Sequence, residues 1–240
     1  MENNLEKILE GQPRFRREQI YKAWFDPKIK SILDITTLPK DWREKHKDFI
    51  FTPFELASIE ESRQDETKKA LLKLGDGEMI ETVLMGRQSK KIESLSERRY
   101  TICLSSQVGC PLKCSFCATG QMGFRRNLTV EEIVGQYRFW NNFLRERGKG
   151  EISNIVLMGQ GEPLLNYDAV KAAINVFLKY TDVGPSKITL STSGVILGME
   201  KMIGDPDFPG IRLALSLHSA VENERKKLMP SQPPDFFRSF

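Results

Sequence analysis

The sequence predicts an α/β fold built on a parallel sheet, and three observations carry that prediction. From about residue 98, short apolar runs alternate with amphipathic helical stretches in units of about thirty residues. Polar or reactive residues stand where each apolar run stops. Ahead of residue 98 the pattern differs, being first helical and then strand-like with a tight turn.

Residues 1–52 read as a small helical domain. Ile20 with Trp24, and Tyr21 with Phe25, are spaced i,i+4, Pro13 and Pro27 bracket that stretch, and a further short helix starts near Pro39. Residues 53–97 read as a β accessory segment with strands at Phe54–Ile59, Lys69–Leu74 and Met79–Met85. Gly75-Asp-Gly77 is the turn between the last two.

The alternating region supplies four βα units. Tyr100–Leu104, Ile155–Met158, Lys187–Ser191 and Ile211–Leu217 read as strands. Val130–Arg147, Tyr167–Tyr180, Val195–Ile203 and Val221–Lys227 read as helices. The first of these has Thr129 as N-cap and Glu131 and Glu132 in its first turn. Such units build either a doubly wound sheet or a barrel, and the pattern does not separate the two.

Net charge is +4, from 36 Lys+Arg against 32 Asp+Glu, too small a surplus to announce nucleic-acid binding. Basic residues bunch at Arg14 to Arg17, Lys90 and Lys91, Arg98 and Arg99, Arg125 and Arg126, and Arg145 to Lys149. Taken singly, each reads as a solvated face. The first residues show no secretory signal and no apolar run has membrane-spanning length, so a cytoplasmic location is the default expectation.

All four cysteines, Cys103, Cys110, Cys114 and Cys117, lie between residues 103 and 117, a clustering that points to metal rather than to a disulfide framework. Cys110, Cys114 and Cys117 have C-x3-C-x2-C spacing. Three thiolates on one loop reach three irons of a [4Fe–4S] cluster and leave the fourth iron open. A zinc ion held by all four cysteines, with Cys103 as the fourth ligand, is the alternative.

The other strand ends carry Gly159-Gln-Gly161-Glu162-Pro163, Ser191-Thr-Ser193-Gly194 and Ser216-Leu217-His218. In parallel α/β folds these ends form the active-site face. Glu162 offers a carboxylate to a ligand ammonium, although Gly-Glu-Pro also suits an ordinary turn. Ser191, Ser193 and Ser216 equally suit turns or caps, and His218 alone reads as structural.

Together these residues resemble a known family. Cys103-Leu-Ser-Ser-Gln-Val-Gly-Cys110-Pro-Leu-Lys-Cys114-Ser-Phe-Cys117, Arg126-Asn-Leu-Thr129, Gly161-Glu162-Pro163-Leu-Leu-Asn166, Leu190-Ser-Thr-Ser-Gly194 and Leu215-Ser-Leu-His218 are similar to the RlmN/Cfr family of radical-SAM RNA methyltransferases, in its RlmN branch. The similarity runs from near Gln12 to about Pro230. It implies a radical-SAM partial (β/α) barrel with about four of six βα units present, residues 98–230 forming that core and 231–240 a non-matching tail.

The resemblance also implies cofactors and partners. A [4Fe–4S] cluster sits on Cys110, Cys114 and Cys117. S-adenosyl-L-methionine (SAM) is met by Gly161, Glu162, Ser191, Ser216, Leu217 and His218. Glu81 is the proton acceptor and Cys103 the thiol that resolves a protein–RNA crosslink. The implied substrates are adenosines of 23S rRNA and tRNA, methylated at C2, and an electron donor such as flavodoxin reduces the cluster. The complete protein would be a monomer away from membranes.

Adenine C2 is too electron-poor to attack a sulfonium methyl, so the family first passes the methyl to a cysteine near the C-terminus. A radical from a second SAM then activates that methyl for addition to the ring. No cysteine follows Cys117 here, and Ser231 to Phe240 reads as a Pro-rich, aromatic stub. The expectation is therefore of a C-terminally truncated chain. Such a chain would assemble a cluster and bind SAM without methylating RNA, or persist as a non-catalytic remnant. It would also expose the edge and apolar face of its fourth core strand.

Overall fold

The computed structural model describes residues 5–26, 28–49, 51–86, 98–232 and Phe236. Residues 1–4, Pro27, the Lys90 and Lys91 pair and most of the 231–240 tail lie outside the described residues.

Helices open the chain, as the i,i+4 apolar pairs require: α1 (Leu5–Leu9), α2 (Arg14–Phe25) and α3 (Lys40–Lys45), with a 3₁₀ turn at Ile32–Asp34. Pro13 and Pro39 occupy the N-caps of α2 and α3, where a residue held near φ −60° needs no helical partner. Ile20 and Trp24 are the residues α2 buries, and the Trp24 indole N–H donates to the Phe51 carbonyl at 3.1 Å.

Three antiparallel strands follow, β1 (Phe54–Glu61), β2 (Lys68–Leu74) and β3 (Met79–Gly86). Gly77 adopts φ +88° in the β2–β3 turn, a left-handed conformation that favours glycine. This segment is not detached from the core. β3 pairs antiparallel with β4 (Arg99–Cys103), and one seven-stranded sheet results.

Beyond β4 come β5 (Gln107–Gly109), α4 (Ala118–Met122), β6 (Phe124–Asn127) and α5 (Val130–Glu146). Next are β7 (Glu151–Leu157), α6 (Tyr167–Tyr180), β8 (Ile188–Thr192), α7 (Ile196–Ile203), β9 (Arg212–Leu215) and α8 (Glu222–Leu228). The Thr129 hydroxyl accepts from Glu132 N–H, and the Glu132 carboxylate accepts from Thr129 N–H, a complete capping box for α5. β7 starts four residues earlier than its apolar run because Ser153 and Asn154 interrupt the run without leaving the ladder.

The sheet order is β1-β2-β3-β4-β7-β8-β9, with β4, β7, β8 and β9 parallel. These parallel strands succeed one another in one direction with no point of reversal. A doubly wound sheet needs such a reversal, so the chain forms an open arc of a barrel. Ile102, Ile155, Leu157, Ile188 and Leu190 bury one face of the arc in a core shared with Ile133, Val134 and Trp140 of α5 and Val170, Ile174 and Phe177 of α6. Arg138 of α5 is buried as well and donates to the carbonyls of Phe51 and Ile29, which fastens the N-terminal segment to the core. On β9, Leu213 shares the face of buried Leu190 but is 53% exposed, so this outer strand lacks apolar cover among the described residues.

Candidate active site

The cysteine loop hangs from a small hairpin that sequence reading missed. β5 and β6 pair antiparallel, Gln107 facing Asn127 and Val108 facing Arg126. Gly109 adopts φ +72°, and a Cβ there would stand 1.8 Å from the Gly123 carbonyl oxygen, so only glycine lets the strands approach. The Cys110 N–H then donates to that same oxygen at 3.1 Å, and Cys117 N–H donates to Cys114 O at 3.1 Å. The far side is held by the end of α8 and the chain just after it: Ser115 N–H donates to Leu228 O at 2.9 Å and the Ser231 hydroxyl to Leu112 O at 2.7 Å. Lys113, between two cysteines, carries a strained φ of +52°.

Burial pushes the Cys110 thiol up to about 11, with the charges of Cys114, Glu162 and Cys117 adding to it. Burial likewise raises Cys114, with Cys117 adding. The three thiols and Glu162 thus share one electrostatic neighbourhood. Among the described residues no three His, Cys, Asp or Glu side chains gather closely enough to hold one metal ion. That is the geometry a zinc ion would need.

A [4Fe–4S] cluster asks for something different, since each thiolate takes its own iron at a separate corner. Three free cysteines spread along one loop fit that demand. Cys103 stands apart on β4, where burial pushes its thiol up to about 11 and the Met158 N–H is its partner. The four-cysteine zinc arrangement weighed from the sequence is therefore not formed.

The loop after β7 meets this hairpin. Gly161 adopts φ +98°, and a Cβ there would fall 2.6 Å from the Gln107 Cβ. Glu162, 3% exposed, donates its N–H to the Gln107 carboxamide oxygen at 2.9 Å. Gln107 in turn donates to the Asn127 side-chain oxygen at 2.8 Å, and the Asn166 amide donates to the carbonyls of Ser106 and Leu128 at 2.8 Å each. These buried amides brace the Glu162 loop against the base of the cysteine hairpin.

The Glu162 carboxylate faces the next strand end. Its Oε2 accepts from the Ser193 N–H and hydroxyl, both at 2.8 Å, and Oε1 accepts from Leu164 N–H at 3.2 Å. Ser193, rather than Ser191, is the serine that meets Glu162. The Ser191 hydroxyl lies 3.0 Å from that of Ser216 on β9's end. His218 takes a left-handed φ of +58°, and its ring centroid lies 4.4 Å from that of Phe116. Phe116, half exposed within the cysteine loop, was passed over in the sequence, where a single aromatic between Cys114 and Cys117 was the available signal. A cavity of about 220 Å³ opens between the cysteine loop and the β8–α7 turn, lined by Leu112, Cys114, Leu165, Ser193, Val195 and Met229.

Glu81 reaches the same end of the sheet by another route. β3 runs opposite to β4, so its start lies beside the end of β4, and the Ser105 hydroxyl donates to the Glu81 carbonyl at 2.6 Å. Val83 is paired with Cys103, which puts Glu81, two residues earlier, on the face of the sheet that Cys103 occupies. The Glu81 carboxylate ion-pairs with Lys69 of β2 at 3.0 Å.

Among the described residues no helix is long and apolar enough to cross a membrane. Residues 104–238 match the Radical SAM superfamily, a match that extends past Pro230. A protein of Heliobacterium modesticaldum named "Probable dual-specificity RNA methyltransferase RlmN" is 39% identical over 226 residues, covering 92% of this chain and 56% of that protein. The "Ribosomal RNA large subunit methyltransferase N" of Nitrosopumilus maritimus is 39% identical over 229 residues, covering 94% of this chain and 64% of that protein. The chain thus spans about three fifths of the length of these curated relatives. The crystal structure of a radical SAM methyltransferase from Sphaerobacter thermophilus superposes with a TM-score of 0.80 at 34% identity, covering 98% of this chain and 68% of that one. With its motif cysteines on one loop and its strand ends turned toward them, the chain belongs to the radical SAM superfamily, among the relatives named RlmN.

Proposed function

We propose that this chain carries the SAM-cleaving part of an RNA adenine-C2 methyltransferase acting on 23S rRNA and tRNA. The observation that carries this reading is the convergence of the three-cysteine loop with Glu162, whose carboxylate is buried beside two of those cysteines. Cys110, Cys114 and Cys117 would hold a [4Fe–4S] cluster, which supplies reductive cleavage of SAM when bound.

The chain's own residues do the binding and orienting. Gly161 allows the backbone to come close, and Glu162 pairs with the ligand's ammonium while Ser193 fixes its carboxylate. Ser191 and Ser216 through His218 receive the remainder of SAM. Glu81 takes the proton lost from the adenine ring, and Cys103 supplies the resolving thiol, which burial pushes up to about 11. Methyl transfer to the base further takes a methyl-carrying cysteine, and no cysteine follows Cys117 in these 240 residues. Reduction of the cluster falls to an external electron donor such as flavodoxin.

The test is anaerobic reconstitution of the chain with iron and sulfide, followed by dithionite and SAM. About four irons per chain and release of 5′-deoxyadenosine are expected, and both should be lost in Cys114→Ala. Iron uptake unchanged in Cys114→Ala would refute the ligand set. Methylated adenosine formed by this chain alone would refute the division of roles.

A further inference from the structure

Arg225 of α8 is fully buried, at 0% exposure, yet it forms no ion pair with a carboxylate among the described residues. A buried guanidinium is costly unless its donors are used, and here they go to main-chain carbonyls and one carboxamide oxygen. Nε donates to Leu217 O at 3.0 Å, and Nη2 donates to Ser193 O at 2.6 Å and to Ser216 O at 3.4 Å. Nη1 donates to the Gln232 side-chain oxygen at 2.5 Å, and the Phe236 ring covers the guanidinium at 3.6 Å.

The three carbonyls belong to two different strand ends. Ser193 follows β8 and is the residue that grips Glu162, while Ser216 and Leu217 follow β9 and lead into the left-handed His218. The backbone ladder of β8 and β9 runs up to the pairing of Thr192 with Leu215, with a further bond from Ser216 N–H to Thr192 O, and the Ser191 and Ser216 hydroxyls meet at 3.0 Å. Beyond these bonds Arg225 spans the two turns, with Ser193 O on one side and Ser216 O and Leu217 O on the other. Its planar fork addresses both sides at once, which a lysine ammonium, a single point donor, does not reproduce.

We propose that Arg225 is a positioning residue for SAM, setting the gap between the β8 and β9 turns through the carbonyls of Ser193, Ser216 and Leu217. The inference rests on the proposed function, in which those turns receive the ligand. It assigns Arg225 no contact with SAM and no part in holding the cluster.

The experiment uses the full 240-residue chain, reconstituted anaerobically, as wild type, Arg225→Lys, Arg225→Met and the exposed neighbour Lys226→Ala. Iron content, far-ultraviolet circular dichroism, SAM binding by equilibrium dialysis and the electron paramagnetic resonance of the reduced cluster with and without SAM are measured. Arg225→Lys should keep wild-type iron and helicity while its SAM dissociation constant rises about tenfold to a hundredfold, the scale of lost charge-assisted hydrogen bonds. Its SAM-induced spectral change should vanish at concentrations that saturate wild type and return at higher ones, and Lys226→Ala should match wild type. Wild-type SAM affinity in both Arg225 variants overturns the proposal. So does joint loss of helicity, iron and SAM binding in both, which assigns Arg225 to folding. A wild-type chain that holds about four irons but binds no SAM overturns the proposed function itself, and this proposal with it.

Discussion

Replacing Glu162 by Gln tests the site most directly, because the change keeps the side chain's shape and removes only its charge and one acceptor. Three donors converge on the carboxylate: the Ser193 N–H and hydroxyl on one oxygen, and the Leu164 N–H on the other. A glutamine serves the Ser193 pair best by turning its carbonyl oxygen there, which aims its NH₂ at the Leu164 N–H. One backbone donor is then unsatisfied in a side chain's surroundings only 3% exposed, and two charge-assisted bonds become neutral ones. Together these cost about 2–3 kcal/mol. For a chain of this length that lowers the melting temperature by roughly 4–12 °C. The iron content should not change, since Glu162 is not a cluster ligand. SAM affinity should fall steeply, because the ammonium loses its counter-charge. Differential scanning calorimetry and equilibrium dialysis on the reconstituted chain read both effects. A Glu162→Gln variant that melts with wild type and binds SAM as tightly would refute the assignment of Glu162 to the ligand and the ledger of its hydrogen bonds alike.

Two further predictions concern other levels of the structure. Cys103 has its thiol raised from an ordinary 9.0 to about 11, so burial stabilises the protonated form. Its contribution to stability is present below pH 9 and is lost as pH rises from 9 to 11. Its alkylation by iodoacetamide, followed by peptide mass spectrometry, should therefore keep accelerating about tenfold per pH unit past pH 9; a plateau near pH 9 would contradict the raised value. Removing the α5 cap with Thr129→Ala deletes one partner of a complete capping box and should cost about 1 kcal/mol. That is a fall of roughly 2–4 °C in melting temperature, and an unchanged melt would show that the packed face of α5 holds its first turn without help from the cap.

Much of the fold was legible because the residues that set it act locally. Pro13 and Pro39 mark helix starts through their own φ, and Thr129 announces α5 through its own hydroxyl. The apolar runs at Ile102, Ile155 and Leu190 alternate because one face of each strand is buried. The β5–β6 hairpin was not legible, since Gln107-Val-Gly109 and Phe124 to Asn127 are too short and too polar to show a period. The joining of the early strands to the core sheet was not legible either, because pairing of β3 with β4 is a long-range register that no local pattern encodes. Within the site, the cysteine spacing and Gly161-Glu162 could be read directly. The choice between Ser191 and Ser193 could not, because it depends on which way each side chain points from the end of β8. Arg225 is one charge among several in the Val221–Lys227 helix, and its part emerges only from its partners.

The position of Glu81 follows from strand direction rather than from any motif. The C-terminal ends of β4, β7, β8 and β9, which are parallel, share one edge of the sheet, the edge where sites gather in folds of this kind. β3 joins that set antiparallel, so the end it contributes to the same edge is its beginning. A carboxylate near the start of β3 is therefore brought to the mouth of the arc, whereas one near its end would face the opposite rim. The pairing of Val83 with Cys103 then decides the face, since a shift of one residue would turn Glu81 toward the buried side with Thr82 and Ile80. Lys69, paired across from Val83 on β2, stands on that face too and meets the Glu81 carboxylate. The antiparallel segment thus brings the Glu81 carboxylate and the Lys69 ammonium to the end of the sheet where the parallel strands stop.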